Sequence, residues 1–257
     1  IRSHANSERP FFLYLAYNAP HTPIQPPQEW LERVKERESG IDEKRAKLVA
    51  LIEHMDDGVG RVLQALAEEG LSEDTLVIFT SDNGGQVNVG ANNGPLRGGK
   101  GQMFEGGIRE PMCAVWPGQV EQGLQSDYVS LTMDLFPTIC EAAGADFGHE
   151  IAGQSFLPEI LGKSQNGGKE RFLFWVRREG GGRYGGRAFY TARYGEWKLL
   201  QNTPFEPMQL HNLKEDPHEE NPLGTQCDEY KMLLNELQNH VIRTGSVAWQ
   251  KYPVELD

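Results

Sequence analysis

The 257-residue chain predicts an α/β fold, and three segments carry that prediction. Pro10-Phe11-Phe12-Leu13-Tyr14-Leu15-Ala16-Tyr17 is a continuous apolar, aromatic run that reads as a strand buried on both faces of a sheet. Between Asp42 and Glu69, the apolar residues Leu48, Ile52, Met55, Val59, Val62 and Leu66 recur every three or four positions, the period of an amphipathic helix. Thr75-Leu76-Val77-Ile78-Phe79-Thr80 is a second strand-like run that breaks into Ser81-Asp82-Asn83-Gly84-Gly85. Strand, long helix and strand in that order imply a right-handed crossover.

The remaining elements follow in chain order. No complete strand and helix unit precedes the aromatic run, so further sequence upstream is expected. Gly70 is placed to stop the long helix. Residues 84 to 107 are rich in glycine, Pro111 to Trp116 read as a third strand, and Asp134 to Ala143 as a helix that tolerates Pro137 in its first turn. These elements are expected to form one α/β domain over residues 1–160. Gly162 to Gly168 resemble a linker, and residues 161–257 a smaller subdomain: an antiparallel sheet plus a helix. Its strands are Phe172 to Val176, Ala188 to Arg193 and Trp197 to Leu200, the last two joined through Tyr194-Gly195-Glu196. Its helix covers Asp228 to Ile242, with Leu233, Leu234, Leu237 and Val241 facing inward. The sequence contains no internal repeat.

Composition narrows the function classes. With 37 acidic and 25 basic residues the formal charge is -12, which opposes general affinity for nucleic acid or an anionic membrane surface. An anionic substrate must then be captured by local groups. No apolar run approaches the roughly 18 to 20 residues that span a bilayer, so no membrane insertion is expected. The three cysteines, Cys113, Cys140 and Cys227, are too scattered for a zinc site or a dense disulfide framework and are expected as buried thiols.

In open α/β sheets, ligands gather at the carboxyl ends of strands. Three segments stand at such ends. Ala19-Pro20-His21-Thr22-Pro23 restricts the backbone around one histidine. Ser81-Asp82-Asn83-Gly84 sets a carboxylate beside an amide oxygen, donors that suit a hard cation such as Ca²⁺. Gly98-Gly99-Lys100-Gly101, followed by Glu105-Gly106-Gly107-Ile108-Arg109, would let backbone and a lysine approach an anion closely. Each alone also reads as an ordinary turn or surface loop; their order after predicted strands makes the joint case.

These motifs together resemble the sulfatases, formylglycine-dependent members of the alkaline-phosphatase-like superfamily. The matching segments are Ala19 to Pro23, Ser81 to Gly84, Gly99-Lys100 and Glu105 to Pro111, then Asp134 to Thr138, Ala143-Gly144, Trp197-Lys198-Leu199, Leu210 to Leu213 and Asp216-Pro217-His218-Glu219. The resemblance covers nearly the whole chain and corresponds to the C-terminal half of a sulfatase. It implies part of an alkaline-phosphatase-like sheet sandwiched by helices, with the small C-terminal subdomain beside it. It implies that Asp82 and Asn83 help bind Ca²⁺, that Lys100 binds the sulfate, and that His21 contacts the sulfate or the leaving-group oxygen. Arg97 and Arg109 could approach the same anion, or brace the loop. His54, Asp56 and Asp57 on the long helix are read as packing and solvated groups.

The reaction so implied is S–O cleavage of a sulfated carbohydrate or aryl sulfate, releasing inorganic sulfate. In such a reaction Ca²⁺ is a Lewis acid, lysine a compact cation for the non-bridging oxygens, and histidine a proton donor near neutral pH. The departure from the family that matters most is the nucleophile: no proline lies two positions after any cysteine or serine, so the Cys/Ser-x-Pro-x-Arg source of formylglycine is absent. The paired upstream aspartates of the Ca²⁺ shell are missing as well. The chain by itself is therefore expected to be inactive and to need the N-terminal half of the same domain. The resemblance further implies a periplasmic, secreted or lysosomal protein. A phosphodiesterase or phosphonate hydrolase relative and a non-catalytic anion-binding relative are the rival readings. Arg177 to Arg187, glycine-rich with four arginines, is a candidate selector of anionic carbohydrate through Arg183 and Arg187.

Overall fold

A computed structural model describes residues 1–163, 171–178 and 188–245. The N-terminal part holds two packed helices and a two-stranded sheet. Helix α1 (Gln28–Arg37) has Glu29 in its first turn and Lys35 and Arg37 in its last, which complements the helix dipole. Helix α2 (Glu43–Glu68) starts where the Asp42 side chain accepts hydrogen bonds from the Lys44 and Arg45 amides. It ends at Gly70, whose φ of 68° is left-handed. There the Leu71 amide reaches Leu66 O and the Gly70 amide reaches Ala67 O, so two end carbonyls are satisfied. Leu31 and Val34 of α1 pack on Ala46 and Ala50 of α2. The sequence reading missed α1, which carries few apolar residues among its charges.

Strand β1 (Val77–Thr80) pairs antiparallel with β2 (Met112–Val115), in the register Val77 to Val115 and Thr80 to Met112. The expected first strand behaves differently. Residues 10–17 pair with no strand among the described residues, so the crossover is not closed there. Phe12 is 71% and Tyr14 80% exposed, where burial on both faces was expected. Their apolar character marks what gains from burial, but a strand also needs partner strands for its backbone groups, and the described residues supply none.

Helix α3 (Glu105–Ile108) is a single turn inside the glycine-rich stretch. Helix α4 (Leu135–Ala142) keeps Pro137 in its first turn as expected, and α5 (Leu157–Ile160) follows. Buried Asp134 accepts from the amides of Leu131, at 2.6 Å, and Gln154, at 2.8 Å. Its carboxylate also takes both arms of the Arg171 guanidinium, which fastens α4 to the start of the C-terminal sheet.

That sheet has the order β3-β4-β5-β6: β3 (Phe172–Arg178), β4 (Ala188–Tyr194), β5 (Trp197–Gln201) and β6 (Gln209–Asn212), every pair antiparallel. Strands β4 and β5 are joined at Gly195-Glu196 as predicted, whereas β6 was not anticipated. One face is packed by helix α6 (Asp228–Gly245), whose Leu233 and Leu237 meet a cross-strand row of Ala192, Leu199 and Leu210. On a second cluster, Leu200 with Trp175 and Phe189 packs against Met103 and Phe104 of the glycine-rich stretch. Cys113 is exposed and Cys140 and Cys227 are half-buried, all three free, so the expectation of buried thiols is corrected. Among the described residues no helix is long and apolar enough to cross a membrane. Residues 164–168 of the expected linker, together with Arg183 and Arg187, lie outside the described residues.

Candidate active site

Two loops meet at the end of β1. The first, Ser81 to Gly85, leaves that strand directly, and the Ser81 hydroxyl donates to Asn83 O at 3.1 Å, curling it. The second, Gly98 to Gly107, folds back so that the Lys100 amide donates to Gly85 O at 3.1 Å and the Gly84 amide to Gly107 O at 3.1 Å. Gly84 has no alternative residue here, because a Cβ would collide with Gly106 O. The Asn93 side chain completes the seam. Its Oδ1 accepts from the Gly85 amide at 2.8 Å, while its Nδ2 donates to Gly85 O at 3.2 Å and to Gly98 O at 2.9 Å. The structure thus brings Asp82, Asn83 and Lys100 onto two directly bonded loops, with Asp82 and Lys100 exposed.

The other expected residues are placed differently. His21 is exposed in a loop flanked by cis Ala19-Pro20 and cis Thr22-Pro23 bonds. Its Nδ1 lies 2.7 Å from Thr22 O; a carbonyl can only accept, so Nδ1 carries the proton and Nε2 is the nitrogen open to a ligand. Both of its hydrogen bonds stay within its own loop. Arg97 turns toward the C-terminal part: its guanidinium donates to Glu219 O and lies over the Phe104 ring at 4.0 Å. Arg109, with a side chain 63% exposed, stands 3.9 Å from Glu105 Oε2.

Beneath the loops sits a buried charged cluster that the sequence reading did not single out. The Lys198 ammonium, fully buried, lies 2.7 Å from Glu105 Oε1 and 2.8 Å from Glu219 Oε1, with Arg193 Nη1 3.7 Å from Glu105 Oε2. Burial pushes the Glu105 carboxyl up, but Lys198, Arg193 and Arg109 outweigh it and hold the group below the ordinary carboxylate value. The loop that delivers Glu219 is shaped by Asp216. Burial would raise that carboxyl, yet hydrogen bonds from the Asn221 amide, His211 and the Glu220 amide draw it down to about 2. His218 adds a bond from its ring to Pro95 O at 2.9 Å. The family-like segments Trp197-Lys198-Leu199 and Asp216 to Glu219 therefore meet the loop that carries Lys100. Sequence alone marked both segments without showing that they converge.

A second unanticipated carboxylate is Glu110. Burial, then the charge of Asp82, pushes its carboxyl up to about 7, against a hydrogen bond from Ser81. Its Oε1 is buried and lacks a hydrogen-bond partner. Negative charge crowded around Asp82, with an unsatisfied oxygen nearby, is an environment that a divalent cation would relieve, and hard oxygen donors fit Ca²⁺. Among the described residues there is no group of three or more His, Cys, Asp or Glu side chains that could hold a metal ion.

A family model described as Sulfatase matches residues 1–145, more than half of the chain. The chain belongs to the sulfatase family. A second model, N-sulphoglucosamine sulphohydrolase, C-terminal, matches residues 99–246 of this sulfatase chain. It is 31% identical to N-acetylgalactosamine-6-sulfatase of Mus musculus, over 91% of this chain and 48% of the relative. It is 30% identical to a sulfatase of Formosa agariphila, over 98% of this chain and 50% of the relative. The crystal structure of Ps i-CgsB in complex with k-i-k-neocarrahexaose superposes with a TM-score of 0.82 at 31% identity, covering 95% of this chain and 52% of that one. The architecture is accordingly part of the alkaline-phosphatase-like α/β fold. The sulfatase chain spans about half the length of these relatives.

Proposed function

We propose that this chain supplies the distal half of the active site of a sulfate-ester hydrolase acting on a sulfated carbohydrate, with S–O cleavage and release of inorganic sulfate. The observation that supports this most is the seam that bonds the loop carrying Asp82 and Asn83 to the loop carrying exposed Lys100. Lys100 binds the non-bridging sulfate oxygens as a compact cation, and Arg109, exposed at the end of the same glycine-rich stretch, is a second cation for the anion. Arg97 serves the same anion by bracing the loop. Asp82 and Asn83 would hold Ca²⁺, with Glu110 close to them; when bound, the ion supplies Lewis-acid polarisation of the ester. With both ring nitrogens protonated, His21 would give the Nε2 proton to the departing alkoxide and keep the Nδ1 proton on Thr22 O. The formylglycine nucleophile and the remaining cation ligands come from the N-terminal half of the same domain, whose packing would also cover the exposed residues 10–17.

A carbohydrate substrate is favoured by similarity to N-acetylgalactosamine-6-sulfatase and to a structure that holds k-i-k-neocarrahexaose. The same relatives point to a lysosomal, periplasmic or secreted setting for the whole protein. The test is to express the full-length protein and measure sulfate release from sulfated oligosaccharides and p-nitrophenyl sulfate, beside hydrolysis of a phosphonate ester. Sulfate release that collapses in Lys100→Ala and His21→Ala supports the proposal. Faster turnover of the phosphonate ester, or activity untouched by Lys100→Ala, would overturn it.

A further inference from the structure

The stretch from Arg97 to Glu105 is fastened on both sides of Lys100 to the C-terminal sheet and to the loop that follows it. Before Lys100, the Arg97 guanidinium donates to Glu219 O. Immediately after it, the Arg177 guanidinium on β3 donates to Gly101 O at 2.6 Å. Further on, the Met103 amide donates to Asn202 Oδ1 at 2.5 Å, and the Glu105 amide to Glu219 Oε2 at 2.6 Å. The Glu105 and Glu219 carboxylates then share the buried Lys198 ammonium.

Two features of this fastening cost more than adhesion requires. Met103, Phe104 and Leu200 already form an apolar contact between the stretch and the sheet. A buried ion cluster adds desolvation that an apolar contact avoids. Glu219 is the one described non-glycine residue at positive φ, 55°, a strained conformation that persists only where its surroundings enforce it. What the strain achieves is that a single residue meets Arg97 with its carbonyl and Glu105 and Lys198 with its carboxylate. Apolar contacts slide; directional bonds from the Arg97 side chain before the lysine, and to the backbone of Gly101, Met103 and Glu105 after it, fix where that lysine stands.

We infer that Lys198, Glu219 and Arg177 are positioning residues that set the Lys100 ammonium through the backbone of residues 97–105. This rests on the proposed anion-binding role of Lys100. None of the three need touch substrate. The C-terminal subdomain thereby takes part in sulfate binding through the loop it holds.

The experiment uses the full-length enzyme, with p-nitrophenyl sulfate as substrate and inorganic sulfate as competitive inhibitor. Arg177→Met is the primary variant, because Arg177 is only half-buried and lies outside the Lys198 cluster, and Glu219→Gln and Lys198→Met follow. The expected result for Arg177→Met is a loss of about tenfold to a hundredfold in kcat/KM, the scale of a small misplacement of a binding group. The sulfate Ki rises with it, the melting temperature stays close to the parent's, and Arg177→Lys recovers part of the loss. In a Lys100→Ala background the Arg177→Met loss should vanish, since a residue acting through Lys100 has nothing left to position. An unchanged sulfate Ki in all three variants, or an equal Arg177→Met loss with and without Lys100, overturns the inference. Failure of the anion-binding reading itself shows separately, as a Lys100→Ala single variant with normal sulfate affinity.

Discussion

Lys100 and Lys198 lie on segments that touch, yet one ammonium stands in solvent and the other is sealed between Glu105 and Glu219. The loop around Lys100 is shaped by backbone hydrogen bonds and by glycines that let chains pass close together. The sheet around Lys198 is shaped by side chains, apolar on the α6 face and both charged and apolar toward the loop. An exposed cation holding no partner remains available to a ligand. A buried one has its charge committed, and its effect is exerted through the structure it fixes. Substitution therefore removes different things at the two lysines: an exposed charge at Lys100, a buried structural one at Lys198.

The largest stability effect is expected at the sealed lysine. Lys198→Met leaves two buried carboxylates without their counter-charge and should lower unfolding free energy by about 3 to 5 kcal/mol in denaturant titration. Next is Gly84→Ala, where the added Cβ meets the Gly106 carbonyl. It should cost at least the roughly 1 to 3 kcal/mol of ordinary overpacking and part the two loops, seen as faster amide exchange at Gly84 and Lys100. A smaller, pH-dependent effect sharpens the contrast. Because Glu105 is held below its ordinary value of 4.5, the stability it contributes is present above that pH and is lost as pH falls through the folded value. The stability gap between parent and Lys198→Met should therefore be full near neutrality and narrow below that value, as measured by melts across an acid series. The smallest effect is at the exposed lysine: Lys100→Ala should leave stability within about 0.5 kcal/mol, with any functional loss confined to anion binding.

Local signals were legible in the sequence. Helix α2, with its Gly70 stop, follows from periodicity and end chemistry, and so do α6 and the β4–β5 turn. The loops bearing Asp82, Asn83 and Lys100 could be located because glycine and carboxamide clusters interrupt strand-like runs. Residues 10–17 show the limit: an apolar run states a preference for burial but does not name the strand that must pair with it. Strand β6 is four residues long and lacks a clear alternating pattern. The roles of Glu110 and Glu219 were not legible because they come from partners distant in sequence, and that of Asn93 because it depends on how the glycine-rich stretch folds back. Glu219 lies 114 positions from Glu105, and no local pattern announces that meeting.

Strand β5 is covered on both sides, and its side chains alternate accordingly: Leu199 lies against Leu233 and Leu237 of α6, while Lys198 and Leu200 face the loop. A slip of one residue would exchange the faces, driving an ammonium into the oily layer and a leucine between two carboxylates. Most strand slips can be partly rescued by whatever apolar surface they happen to bury. This one cannot, because the same shift that spoils the hydrophobic layer also strands three charges. The costly cluster at Lys198 thus doubles as a proofreading device for assembly, discriminating the correct hairpin from its nearest competitor while the sheet forms.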